Sequence, residues 1–321
     1  MIETFQRTLP SGITLSCRAA GQPGRPLMMF LHGFPEAAFI WDALLEHFAA
    51  PEHGGYRCVA PNLRGFERSS APVEVAAYRP KPMLQDLREL AAVEGTDGRI
   101  DVLVAHDWGG AFGWAYANAF GDGVGRLVII NSPHPATFTR ELRDNPAQQQ
   151  ASAYMNFLAH PRAEEMLAED DFRRMWPFFT NMKAGADGFG WLTEAVKEQY
   201  REVWRAGLTG ACNLYRVTPL KPAAPGQPAP TLPDLPLERA RVDVPTLVFW
   251  ALDDVALLPG LLVGLEDHVP DLEITKLPGA THWIVHEQPG LIADGIEAFL
   301  RRPAPAAATR AGGAGAGSGT Q

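Results

Sequence analysis

The chain predicts an α/β fold with a mostly parallel sheet, and three observations carry that expectation. Short runs rich in apolar residues recur at 27–31, 56–60, 101–105, 127–131, 246–251 and 272–276, each of strand length. Segments between them, such as 83–92 and 111–120, space their apolar residues along one helical face. Turn residues bound several of the runs, and strand-helix alternation of this kind builds a parallel sheet covered on both faces.

Taken in order, the run at 27–31 reads Leu-Met-Met-Phe-Leu, apolar on both sides of the pleat, as a strand between two helical layers requires. The run at 101–105 leads directly through His106 and Asp107 into Trp108 and two glycines, so the strand turns sharply into the helix that follows. After about residue 135 the strand signal stops. Helix-prone stretches rich in Met, Phe, Trp and Tyr replace it, including 156–169 and 192–206. The Pro-rich stretch 218–236 can form neither a regular helix nor an interior strand, so it is expected to return as a loop to the sheet. After Phe299 the chain turns Ala/Gly/Pro-rich and loses the periodicity that would let it bury apolar surface. The expected division is a first core part at 1–135, a helical insertion at 136–236, a second core part at 237–302 and a disordered tail at 303–321.

Bulk properties narrow the function. The 321 residues suit one core with an inserted subdomain, and 46% hydrophobic with 20% charged residues is the balance of a globular protein. A formal net charge of -9 leaves no basic excess to attract nucleic acid or an anionic membrane surface. Cys17, Cys58 and Cys212 are scattered, odd in number and without metal-type spacing, so neither a disulfide framework nor a zinc site is expected. The polar start Met-Ile-Glu-Thr-Phe-Gln-Arg lacks the pattern of a signal peptide, and no apolar run is long enough to span a bilayer. A soluble cytoplasmic protein is the expectation.

Three segments carry chemistry. The first is 100–110, where an apolar strand ends in Asp107 and the glycines after it let the next helix approach closely. Serine hydrolases place Ser at such an elbow. An Asp there changes the chemistry, because a carboxylate that attacks a saturated carbon forms an ester that water can afterwards hydrolyse. A serine ether would be a dead end. The second segment, Leu31-His-Gly-Phe-Pro-Glu36, follows the first buried strand, and the backbone N–H of Phe34 pairs naturally with that of Trp108 as an oxyanion hole. The third requirement is a base. Among nine histidines, His282 has the best position, in a loop after the last strand, and His286 is its nearest competitor. Upstream, Asp253 and Asp254 end a buried strand, and either acid could orient an imidazole there.

Together these residues resemble the α/β-hydrolase-fold epoxide hydrolases. The resemblance runs from about Leu27 to Leu300 and rests on His32-Gly-Phe-Pro-Glu36, Asn62-Leu-Arg-Gly65, Ala105-His-Asp-Trp-Gly-Gly110, Asn131-Ser-Pro-His-Pro135 and Gly279-Ala-Thr-His-Trp283. It implies an α/β-hydrolase fold with a helical cap, Asp107 as nucleophile, His282 as general base and Asp254, by its spacing to Leu258-Pro259, as the orienting acid. It also implies two cap tyrosines that donate to the epoxide oxygen, matched here by Tyr154 and Tyr215. The implied reaction converts an apolar epoxide and water into a vicinal diol without cofactor or metal. Haloalkane dehalogenases are similar too, sharing the Asp-Trp pair, but they commonly carry Asn where this chain has Phe34 and lack the tyrosine pair. A non-catalytic ligand-binding protein on the same fold is the remaining alternative, which the intact set of site residues argues against.

Overall fold

The computed structural model describes residues 1–181, 188–224, 226–227 and 231–303. An eight-stranded sheet forms its centre, in the order β1-β2-β4-β3-β5-β6-β7-β8. These strands are β1 (Glu3–Thr8), β2 (Thr14–Ala20), β3 (Leu27–Leu31), β4 (Arg57–Pro61), β5 (Ile100–His106), β6 (Val124–Ile130), β7 (Thr246–Ala251) and β8 (Leu272–Leu277). From β4 onward every neighbouring pair is parallel, whereas β1 and β2 join antiparallel at one edge. All six strands expected from the sequence are present. The two N-terminal strands were not anticipated: β1 reads Glu-Thr-Phe-Gln-Arg-Thr and lies half in solvent, so it never shows the continuous apolar run of an interior strand.

Alternation along the interior strands divides the core into two layers. Met29, Leu31, Leu103, Ala105, Leu127 and Ile129 face one layer. Met28, Phe30, Val102, Val104, Val128 and Ile130 face the other. Helices α1 (Asp42–Ala49), α2 (Pro80–Glu94) and α3 (Asp107–Phe120) fill the crossovers between the early strands.

Between β6 and β7 the chain leaves the sheet and forms α4 (Pro135–Asp144), α5 (Pro146–Ala151), α6 (Tyr154–Leu158), α7 (Ala163–Phe172), α8 (Trp176–Thr180), α9 (Glu194–Arg205) and α10 (Thr209–Val217). No strand of the sheet comes from this stretch among the described residues. The helix-prone stretch 156–169 falls in two helices, α6 and α7, parted at Pro161, which has no N–H to continue the ladder. Residues 218–224 and 231–236 run without regular structure, consistent with their prolines. The short α11 (Leu237–Ala240) leads back to β7, and α12 (Ile284–Glu287) and α13 (Pro289–Leu300) follow β8. The tail expected at 303–321 lies, from residue 304 on, outside the described residues. Among the described residues no helix is long and apolar enough to cross a membrane.

Candidate active site

The site grows from the carboxyl ends of the parallel strands, where the crossover loops leave the sheet. At the end of β5, Asp107 takes φ 50°, a left-handed conformation that an L-residue adopts only when its surroundings force it. The packing around the bend does so. A side chain at Gly109 would strike the carbonyls of Leu31 and His32, one at Gly110 would strike Ser132, and one at Gly33 would land on the Asp107 carboxylate. The Ser132 hydroxyl donates to the Asp107 carbonyl at 2.7 Å, tying the elbow to the loop after β6.

The Asp107 carboxylate is held on one side only. Its Oδ1 accepts from the backbone N–H of Phe34 at 2.7 Å. Its Oδ2 lies 3.7 Å from His282 Nε2. On the other face of the imidazole, His282 Nδ1 meets Asp254 Oδ2 at 2.6 Å, so of the two candidate acids it is Asp254 that reaches the ring. Asp254 is buried, and every acceptor position used is satisfied from nearby: Asn131 Nδ2 donates to Oδ2 at 2.8 Å, and the N–H groups of Ala256 and Leu257 donate to Oδ1 at 2.8 and 3.0 Å. Burial opposes ionisation of Asp254, but His282 and these donors outweigh it and hold its pKa below the usual carboxylate range. Burial likewise disfavours a charged His282, yet the adjacent Asp254 and then Asp107 push its pKa up to about 9.

His286 turns out to serve another group. Its Nε2 lies 2.9 Å from Glu36 Oε1, which also accepts from the Tyr200 hydroxyl at 3.0 Å. His106 Nδ1 reaches the second oxygen, Glu36 Oε2, at 3.1 Å, and His106 Nε2 donates to the carbonyl of His282 at 2.9 Å. Burial opposes the charge on Glu36, but hydrogen bonds from His106 and His286 more than offset it and keep this carboxyl ionised. This buried cluster directly under His282, and the Asn131 donor to Asp254, escaped the reading of the sequence. Glu36, His106 and Asn131 stand in the motifs quoted above, and His286 figures there only as a competing base, but no spacing along the chain joins positions 36, 106, 200 and 286.

The insertion covers the elbow from above. Tyr215 in α10 is buried and packs edge-on to both Phe34 and Trp108, at ring-centroid distances of 5.3 and 5.2 Å. Tyr154 at the start of α6 lies 6.2 Å from Tyr215, ring centre to ring centre. Burial, reinforced by Asp107 and Asp254 at Tyr154 and by Tyr154 and Asp107 at Tyr215, raises both phenol pKa values, so both are neutral donors. A cavity of about 330 Å³ opens between the insertion and the sheet, lined by Asp107, His282, both tyrosines and apolar side chains including Phe34 and Phe178. A smaller one, about 100 Å³, meets Asp107 and the tyrosines from the side of Trp108 and Leu257.

A family model for the alpha/beta hydrolase fold matches residues 26–289. Sheet order, elbow and matched span define the class, an α/β hydrolase. Mouse epoxide hydrolase 4 is 31% identical over 302 residues, spanning 92% of this chain and 79% of that protein. The Bacillus subtilis AB hydrolase superfamily protein YfhM is 29% identical over 91% of this chain and 96% of its own length. A crystal structure of Bacillus megaterium epoxide hydrolase in complex with an inhibitor superposes with a TM-score of 0.80 at 28% identity, covering 93% of this chain and 100% of that one. The chain belongs to the epoxide hydrolase family of the α/β-hydrolase fold.

Proposed function

We propose that this protein opens apolar epoxides to vicinal diols in two steps through an ester on Asp107. With Oδ1 held by the Phe34 N–H, Oδ2, 3.7 Å from His282 Nε2, attacks an epoxide carbon in the cavity that Asp107 lines, from the side opposite the ring oxygen. The C–O bond of the ring breaks, and Tyr154 and Tyr215 donate to the emerging alkoxide and protonate it. Neutral phenols are suited to that task, and raised pKa values keep them protonated beside an anionic carboxylate. The insertion then acts as a cap that keeps bulk water from the reaction.

His282 next takes a proton from a water molecule, which attacks the carbonyl carbon of the ester. Asp254 holds the imidazole in register and stabilises its charge. The oxyanion rests on the Phe34 N–H and on that of Trp108, which, in the first turn of α3, has no partner within its own helix. Collapse releases the diol as its departing oxygen takes one proton of the attacking water, the other returns from His282 to the tyrosine phenolate, and the carboxylate is restored with one oxygen of Asp107 now derived from water.

One observation carries this reading: a carboxylate at a strained elbow, a histidine-acid pair and two phenols all open on one largely apolar cavity. A single turnover in ¹⁸O-labelled water tests it. The expected result is label in the peptide that contains Asp107; an unlabelled peptide after diol formation would remove the ester from the scheme. Haloalkanes run in parallel should release no halide at a comparable rate.

A further inference from the structure

On the opposite flank of the molecule, His47, His53 and Glu297 converge from three elements: the last turn of α1, the short turn at Pro51–His53, and α13. His47 Nε2 lies 2.7 Å and His53 Nδ1 2.6 Å from the same oxygen, Glu297 Oε1. The two imidazoles stack with centroids 3.7 Å apart and planes inclined by 23°. Among the described residues this is the one group of three whose donor atoms all lie within 4.8 Å of one another. We propose that it is a binding site for a borderline transition-metal ion, Zn²⁺ foremost.

The chemistry of the donors argues for it. Two stacked imidazoles each aim a ring nitrogen at the same carboxylate oxygen, so three potential ligand atoms converge on one point. A divalent ion resolves the arrangement by taking one nitrogen lone pair from each ring and charge from the carboxylate. Two imidazoles with one carboxylate are a set that suits Zn²⁺, Ni²⁺ or Cu²⁺, whereas Mg²⁺ and Ca²⁺ demand oxygen. Tetrahedral zinc with bonds of about 2.0–2.1 Å needs donors roughly 3.3 Å apart, so the carboxylate must draw back from its present 2.7 and 2.6 Å to the two ring nitrogens as an ion enters.

The site is also prepared. Backbone bonds from Ala50 to His47 and from His53 to Ala50, at 3.2 and 3.0 Å, hold both histidines on one compact turn. Arg301 Nη1 donates to the second oxygen of Glu297 at 3.2 Å and so orients the carboxylate in the way outer partners support metal ligands. Side-chain exposures of 26%, 34% and 23% for His47, His53 and Glu297 let an ion enter and leave room for water to complete its coordination. A bound ion joins α1 and its turn to α13, two elements that otherwise meet through the apolar layer around Phe48 and Phe299.

The test uses the full chain, prepared without a metal-affinity tag and stripped with chelator. Zinc chloride titrated in a calorimeter is expected to bind one ion per chain with micromolar affinity, and a hundredfold excess over Kd to raise Tm by about 5 °C. Mg²⁺ should do neither. His53→Ala, the most exposed of the three, should weaken binding at least tenfold while leaving the melting temperature without zinc near the wild-type value, and Glu297→Gln should do the same to binding. Zinc bound as tightly by both variants as by wild type would place the ion elsewhere and overturn the proposal, as would a Kd above 1 mM.

Discussion

Asp107 occupies a backbone conformation that costs on the order of 1–3 kcal/mol for a non-glycine residue, and it is held there by glycines that leave no room for the bend to relax. Such strain pays off only if the side chain it exposes has work to do. Asp107→Asn is expected to fold and to lose diol formation, because an amide oxygen is a poor nucleophile. His282→Gln should alkylate and then stall, and intact-protein mass spectrometry should show an adduct of substrate mass; free turnover by that variant would contradict the division of labour. Tyr154→Phe and Tyr215→Phe should each slow the alkylation step, by roughly 10²-fold for the loss of a positioned proton donor, with the double variant far slower.

The same imidazole makes the protein sensitive to pH in two distinct ways. Its folded pKa of about 9 lies above the unfolded value of about 6.5, so its contribution to stability is complete below that lower value and is lost as pH rises through 9. Urea unfolding between pH 7 and 10 should therefore show a larger loss of stability in wild type than in His282→Gln. To act as the proposed base, the ring must be neutral. Under the proposed scheme, esterification would remove the charge of Asp107, one of the groups that raise the pKa, so the hydrolytic step should titrate with an apparent pKa below 9. Rapid-quench experiments should accordingly trap more ester as pH falls.

At the scale of elements, the elbow between β5 and α3 is a packing device before it is a chemical one. Gly110→Ala drives a methyl group into Ser132, whose hydroxyl holds the Asp107 carbonyl, and is expected to cost about 1–3 kcal/mol together with most of the activity. Thermal melts and steady-state kinetics on the same preparation check both. Elements also mark where reading along the chain falls short. Strands such as β3 were legible because burial on both faces leaves only apolar residues; β1 was not, because it lies at the sheet edge with polar, solvated side chains, and β2, though largely buried between β1 and β4, breaks its apolar run with Ser16 and Arg18. The insertion was legible as helix-prone at 156–169 and 192–206, but the division of the first stretch at Pro161 was not, since apolar residues continue on both sides of it.

Over the whole molecule, the insertion is fastened to the sheet by buried polar contacts beside the site. Trp204 Nε1 donates to the carbonyl of Pro35 at 2.8 Å, and the Tyr200 hydroxyl donates to Glu36. Tyr200→Phe leaves that buried carboxylate one donor short and is expected to destabilise the protein by about 1–3 kcal/mol. Hydrogen exchange should quicken in α9 more than in β5, and a change confined to the sheet would show that this contact does not hold the insertion down.

The identity of the proposed reacting groups belongs to local sequence. An apolar strand that runs into Asp107, Trp108 and two glycines marks a candidate elbow, and a histidine in the loop after the last strand marks a candidate base, because apolar periodicity and turn residues are local signals. What only the tertiary structure decided is which groups stand behind them. Sheet order alone brings Glu36, His106 and His286 into one buried cluster, selects Asp254 over Asp253 by 2.6 Å geometry to His282, and sets His47 and His53 against Glu297 some 250 residues away along the chain. Those partnerships depend on how distant segments pack, and packing leaves no periodic trace in the residues that take part.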